Sequence, residues 1–260
     1  MRIVVKVGGA TLENSILLSR TAMAVRQLAE QHHVVLIHGG GIALTRIMHQ
    51  MGKESQFIDG MRVTDADTRD LAVMVLAGYV NKKLVAALIA ARQQAVGLCG
   101  SDGLVFRVRK KEPNGHDFGY VGEVSAVDSR WIEVIWQNNC VPVLSSIGLG
   151  VDGQYYNTNA DQLASACAAA CHADALIFLT DVPGVRDADG LVIRWLSLPR
   201  LRELSGNAVI YGGMLPKLDA CKQALLKGVS RVKILPADRV EAVAEVYFSK
   251  LEFGTEVLIA

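Results

Sequence analysis

The sequence predicts an α/β fold built on a largely parallel sheet, and three observations predict it. Short apolar runs rich in valine, isoleucine and leucine alternate with longer runs whose apolar residues recur at helical spacing. Two of the apolar runs, 1–7 and 34–38, end in glycines just before a helical pattern begins. No low-complexity linker and no internal repeat interrupts the alternation, so two lobes sharing one continuous sheet are expected.

The first strand covers 1–7 and carries Lys6 inside an otherwise apolar run. Leu17, Leu18, Ala22, Val25, Leu28 and Ala29 give 15–31 a helical period. A strand at 34–38 precedes a helix at 42–51, and 53–64 reads as a loop. Asp65 is the expected N-cap of a helix ending near Gly78, followed by a helix at 80–94 and a strand at 95–99. Residues 105–109 and 120–124 alternate around a Pro113-Asn114-Gly115 turn, which predicts a hairpin serving as a lid or surface insert. A helix at 128–138 and a strand at 141–145 come next, and the polar run 154–161 opens an alanine-rich helix at 160–173. A second unit begins there with a strand at 175–179, a turn at 180–184 and a tight turn at 187–190. A helix after Gly212-Gly213, a strand at 231–235, a helix at 238–248 and a closing strand at 254–260 complete it. The expected lobes are 1–172 and 173–260.

Bulk properties narrow the function classes. A chain of 260 residues, 51% hydrophobic and 20% charged, can bury a large core. A formal net charge of +1 argues against a nucleic-acid binder, which would carry a basic surplus. No stretch reads as the roughly 20 apolar residues that span a bilayer, so no membrane partner is expected. The chain enters its first strand without a leader pattern, which predicts a cytoplasmic protein. Cys99, Cys140, Cys167, Cys171 and Cys221 read as small hydrophobes in a reducing compartment rather than as metal ligands.

Chemistry concentrates where strands open into glycines. Lys6 lies two residues before Gly8-Gly9, a pair that lets backbone N–H groups approach an anion. Gly39, Gly40 and Gly41 cost backbone entropy unless N–H groups and a helix N-terminus must face a carboxylate or phosphate. His38 before them reads as a buried structural histidine. Neither a Walker loop nor a dinucleotide fingerprint occurs, so any nucleotide is held another way. Arg62 can clamp a carboxylate with two parallel hydrogen bonds, or pair with Asp59 or Asp65 on the surface. Asn157, Asn159 and Asp161 crowd the entry to a helix, and capping explains only one of them; Asp161 can hold lysines or a magnesium ion. Asp181, Val182, Pro183, Gly184 and Val185 follow a strand C-terminus, where open α/β sheets bind ligands. Lys217 sits in the first turn of a helix, a misfit with the dipole that an anionic ligand would relieve.

In this order, Lys6-x-Gly8-Gly9, His38-Gly-Gly-Gly41, Gly60-x-Arg62-Val-Thr-Asp65, Asn157-x-Asn159-Ala-Asp161, Thr180-Asp-Val-Pro-Gly184 and Gly213-Met-x-x-Lys217 resemble the amino-acid kinase family across nearly the whole chain. The resemblance implies an open αβα sandwich with an N-terminal acceptor lobe and a C-terminal nucleotide lobe. It implies ATP with Mg2+ as phosphoryl source and N-acetyl-L-glutamate as acceptor, phosphorylated on its γ-carboxylate in the second step of arginine biosynthesis. It gives Lys6 and Lys217 the charge on the transferring group, with Asp161 holding both. Gly8, Gly9, Gly40 and Gly41 would donate N–H groups to phosphate and carboxylate oxygens, and Arg62 and Asn157 would bind the rest of the acceptor. Asp181 to Arg186, with Val209, Ile210 and Tyr211, would hold the nucleotide, and no protein metal site is implied. Members of this kind pair as homodimers through the N-lobe. Arginine-inhibited members carry an extra N-terminal helix, so arginine inhibition is not expected here. Two relatives within the resemblance stay open: a kinase of carrier-linked aminoadipate or glutamate in lysine or ornithine biosynthesis, and a non-catalytic ligand-sensing domain. Presence of both lysines and Asp161 favours an enzyme.

Overall fold

The computed structural model describes residues 1–58, 60–112, 116–206, 214–240 and 253–260. In chain order, β1 (Arg2–Val7) leads through a short α1 (Gly9–Glu13) into α2 (Ser15–Ala29), β2 (His33–His38) and α3 (Gly41–Gln50). A two-stranded ribbon, β3 (Phe57–Ile58) and β4 (Met61–Arg62), precedes α4 (Ala66–Ala72) and α5 (Asn81–Ala90). Then come β5 (Ala95–Leu98), β6 (Phe106–Lys110), β7 (Val121–Val127), α6 (Arg130–Gln137), β8 (Val141–Ser145), β9 (Ile147–Gly150), β10 (Tyr155–Thr158) and α7 (Ala160–Ala170). The chain continues with β11 (Ala175–Thr180), β12 (Trp195–Ser197), α8 (Leu198–Gly206), α9 (Met214–Leu226), β13 (Arg231–Pro236) and β14 (Thr255–Leu258).

Eight strands form one continuous sheet in the order β12-β14-β13-β11-β1-β2-β8-β5. The six from β13 to β5 run parallel, and among the described residues the β13–β14 pairing is the only antiparallel one in this sheet. β1 lies between β11 and β2, so both of its edges are paired, and a hydrophobic core covers each of its faces, as its near-continuous apolar sequence requires. Ile3, Val5 and Val7 pack into the core shared with α2, α3 and the helices after Arg62. Val4 packs into the opposite core with Leu163, Ala164 and Cys167 of α7 and Leu218 and Cys221 of α9. Side chains alternate along a strand, so Lys6 points to the Val4 side, toward α7 and α9. Its register neighbours are Phe178 on β11 and Ile37 on β2. The mixed α/β sandwich agrees with the expected fold class.

Several local expectations change. Residues 53–64 are not all loop, because Phe57 pairs with Arg62 and Ile58 with Met61. The two helices predicted on either side of Gly78 form one run, Ala66–Ala90, with a π-helical stretch at Val73–Val80 joining α4 to α5. A helix-interior glycine costs only about 1 kcal/mol. Burial of Leu71, Val75, Leu76, Val80, Leu84 and Leu88 along one side outweighs that. By length and composition this run is also apolar enough to cross a bilayer, contrary to the reading from sequence, although its buried side packs in the sheet core. The predicted hairpin exists as β6 and β7, but β9 and β10 close with it into a four-stranded barrel. Its root is core, with Phe106 and Val108 fully buried. The predicted turn at 113–115 and most of the predicted helix at 238–248 lie outside the described residues. Four of the five thiols are buried, Cys140 is half-buried, and all five are free.

Candidate active site

The C-terminal ends of β1, β2 and β11 open into a cavity of about 1390 Å³. At its floor, two cations far apart in sequence share one carboxylate. Lys6 Nζ lies 2.8 Å from Asp161 Oδ1. Lys217 Nζ donates to Asp161 Oδ1 at 3.1 Å and Oδ2 at 3.0 Å. Asp161 and Lys217 are both buried, and the Lys217 ammonium also sits 5.1 Å from the centre of the Phe178 ring. Burial alone would raise the Asp161 carboxyl, but the Lys6 and Lys217 charges hold it below the usual carboxylate range. Burial, then the neighbouring Lys6 charge, pushes Lys217 below the ordinary lysine value. The two ammonium groups therefore carry more positive charge than one carboxylate cancels, at a place open to an anion.

Local structure explains why Asp161 points there. Asn159 is the N-cap of α7, and its Oδ1 accepts the N–H groups of Asp161 at 2.8 Å and Gln162 at 3.1 Å. Asp161 then falls in the first helical turn, where a negative side chain is favoured. Capping thus accounts for Asn159, and both lysines pair with Asp161.

The N-termini of α1 and α3 face the cavity. Gly40, at φ +150°, is the N-cap of α3, and a Cβ on it would lie 2.7 Å from Leu76 Cδ2. Only glycine fits this turn. Gly41 begins α3, and the first N–H groups of a helix have no intrahelical partners. Gly9 begins α1 in the same way. Gly8 differs from the expectation: its N–H continues the sheet onto the Leu179 carbonyl at 3.1 Å, so the donors come from Gly9 onward. A Cβ at Gly8 would stand 3.0 Å from that same oxygen, so close strand packing explains this glycine.

Arg62 is buried on the cavity wall and has no carboxylate partner among the described residues. Its Nη1 donates to Ser55 Oγ, and its Nη2 donates to Thr45 Oγ1 at 2.6 Å and to the Gly41 carbonyl at 3.1 Å. The guanidinium stacks 4.7 Å from the Phe57 ring centre. Asp65 instead binds Lys53 at 2.8 Å and caps α4 through the Thr68 N–H at 2.8 Å; Asp59 lies outside the described residues.

Asp181, Val182, Gly184, Val185 and Arg186 line the other wall. Gly184, at φ +148°, would bring a Cβ within 2.8 Å of Thr255 Oγ1, the same hydroxyl that accepts the Val185 N–H at 2.8 Å. Pro183 instead lines a smaller cavity of about 430 Å³ next to it. Asn157 is half-buried on β10, paired with Ile147 and Val121, and is not on the wall of the main cavity. Val209, Ile210 and Tyr211 lie outside the described residues. Thr45 and Phe57 line the cavity without having been singled out from sequence. Thr45 lies four residues after Gly41, one turn on, so helical spacing was an available signal; nothing in 53–64 signalled Phe57.

His38 is fully buried and has no exposure to the cavity. Asn81 Nδ2 donates to its Nε2 at 3.0 Å, which leaves Nδ1 to donate to the Gly39 carbonyl at 2.7 Å. Burial is the main cause lowering its pKa to about 4. It is a neutral brace for the glycine turn, as expected.

Among the described residues no three His, Cys, Asp or Glu side chains gather to hold a metal. The carboxylates on the cavity lining are Asp161, paired with the two lysines, and Asp181 on the opposite wall.

The model of the Amino acid kinase family matches residues 1–236. Acetylglutamate kinase of Acidobacterium capsulatum is 57% identical, covering 99% of both chains. Acetylglutamate kinase of Koribacter versatilis is 52% identical over the same shares. The crystal structure of smu.665 from Streptococcus mutans UA159 superposes with a TM-score of 0.84 at 30% identity, covering 100% of this chain and 99% of that one. On site geometry, fold and sequence together, this chain belongs to the amino acid kinase family.

Proposed function

We propose that the protein transfers the γ-phosphoryl group of ATP to the γ-carboxylate of N-acetyl-L-glutamate, giving N-acetyl-L-glutamyl 5-phosphate for arginine biosynthesis. One observation carries the reaction type: Lys6 and Lys217 converge on Asp161 in a single cavity that the starts of α1 and α3 also line. The full-length likeness to acetylglutamate kinases supports the acceptor and gives no support to a carrier-linked substrate or a sensing domain.

The chemistry suits this site. A carboxylate acceptor is already ionised, so no general base is needed, and His38 is free to be structural. Two anionic reactants repel each other, so catalysis reduces to alignment and charge neutralisation. Lys6 and Lys217 supply charge where it builds up on the migrating group, and Asp161 keeps both in place. The α3 N-terminus at Gly40–Gly41 and the N–H of Gly9 align oxygens, and Arg62 receives the acceptor's α-carboxylate. Asn157, outside the lining of the cavity, is assigned to the acetylamino end on the likeness to acetylglutamate kinases alone, and Gly8 to shaping the phosphate loop. Asp181 to Arg186, with Val209, Ile210 and Tyr211, hold the nucleotide, and Mg2+ comes with its phosphates.

We assign acceptor binding and dimerisation to residues 1–172 and nucleotide binding to 173–260. A homodimer is supported by the open edge of β5, where Val96 is exposed, beside a helix that exposes Met74, Tyr79 and Ile89. Five free thiols suit a cytoplasmic setting.

The deciding assay is ADP release from ATP and Mg2+ with N-acetyl-L-glutamate, N-acetyl-L-aspartate, glutamate and aspartate in turn. Turnover is expected with the first and far less with the others. Equal or better turnover with any other acceptor, or none at all, overturns the assignment.

A further inference from the structure

We infer that Thr45 is a specificity-determining residue, whose hydroxyl both fixes Arg62 and binds the acceptor's α-carboxylate directly. The inference rests on the proposed acceptor. Thr45 is exposed on the cavity face of α3, one turn after Gly41. Its Oγ1 accepts from Arg62 Nη2 at 2.6 Å, and its own hydroxyl proton has no acceptor among the described residues. A threonine in a helix commonly gives that proton to the carbonyl four residues back. Here the Gly41 carbonyl receives Arg62 Nη2 at 3.1 Å instead.

Arg62 itself is heavily engaged. Nη2 uses both N–H groups on Thr45 and Gly41, and Nη1 is taken up by Ser55 Oγ and by Met48 Sδ at 3.4 Å. An arginine has five N–H donors, so the Nε–H and the weak thioether contact are what remain for a ligand. A carboxylate therefore gains less from this guanidinium than from an unencumbered one. The missing donor is at hand in the Thr45 hydroxyl, polarised by the cation it accepts from and free to donate outward. Both groups act on one carboxylate, and the Phe57 ring restrains the guanidinium from the other side.

The test is steady-state kinetics of wild type, Thr45→Val and Thr45→Ser with N-acetyl-L-glutamate and with 4-acetamidobutyrate, which lacks the α-carboxylate, as acceptor or competitor. Loss of a hydrogen bond to a charged group predicts a KM for N-acetyl-L-glutamate about 10- to 100-fold higher in Thr45→Val. The effect should fall on KM rather than kcat, the apparent affinity for 4-acetamidobutyrate should change less than threefold, and Thr45→Ser should recover most of the loss. An unchanged KM in Thr45→Val, an equal loss for both acceptors, or a failure of Thr45→Ser to recover each overturns the role. Wild type that turns over N-acetyl-L-glutamate while one of these results is found defeats this inference alone. Wild type with no such turnover defeats the acceptor assignment and this role with it.

Discussion

Asp161 is one carboxylate serving two ammonium groups, and the consequences of changing it differ from those of changing either lysine. Lys217→Ala leaves Asp161 paired with Lys6, so the fold should persist while turnover falls about 10²–10³-fold, the scale of losing one transition-state charge donor. Asp161→Asn leaves two buried-side cations without their counter-charge. Breaking a buried pair in this way costs about 3–5 kcal/mol, so this variant should lose both turnover and stability. Urea melts beside kinetics separate the two cases, and a Lys217→Ala protein as active as wild type would remove that lysine from the reaction. His38 makes a second residue-scale prediction. Its folded pKa, about 4, lies below the ordinary 6.5, so the unfolded chain takes up a proton that the native state refuses. Stability tied to His38 is therefore full above pH 6.5 and lost as pH falls toward 4. Between pH 7 and pH 5 the loss should be about 2 kcal/mol. A His38→Gln variant should show a correspondingly flatter stability profile; an identical slope would mean the histidine is not held neutral.

At the scale of elements, the α3 N-terminus depends on two adjacent glycines with different duties. Gly40 combines a positive φ with a Cβ position that collides with Leu76, so Gly40→Ala should cost about 2–3 kcal/mol through strain and clash. A Cβ at Gly41 meets nothing within 4 Å. Gly41→Ala should therefore keep its melting behaviour and lose acceptor binding, because the added methyl enters the cavity. Equal stability of the two variants would show that the turn relaxes around Gly40. Leu76 belongs to the π-helical stretch, so this helix braces the glycine turn as well as covering the sheet. Asn81, from the start of α5, supports the same turn through His38.

For the whole molecule, the continuous sheet is what brings β1, α7 and α9 to one place. It also leaves β5 at the sheet edge, next to a helix that exposes Met74, Tyr79 and Ile89. A sheet edge of this kind favours pairing with a second copy across a two-fold axis. Light scattering should find a dimer, and Ile89→Glu combined with Val96→Lys should convert it to monomer. A wild-type monomer at micromolar concentration would rule that interface out.

Much of this was readable from the chain. Period-two and helical patterns set the alternation of elements, and Lys6, Gly40, Gly41, Asp161 and Lys217 stood out as misfits to purely structural roles, whereas Arg62 read equally as a surface arginine until the family resemblance gave it a role. Register and closure were not readable, because they depend on partners distant in sequence. Nothing near residue 8 says that its N–H will bond to Leu179, and nothing near residue 106 says that two later strands will close a barrel. The continuous helix through Gly78 was hidden for the same reason: local propensity marks a break, and burial against the sheet overrides it.

The sequence alone determined an α/β chain with cations and glycines placed at strand ends, since side-chain period and glycine conformation are local properties. Only the tertiary structure decided that residues 6, 161 and 217 meet, and that Thr45 and Phe57 enclose Arg62. Such meetings come from packing helices on a sheet, where contact is set by distance in space and not along the chain.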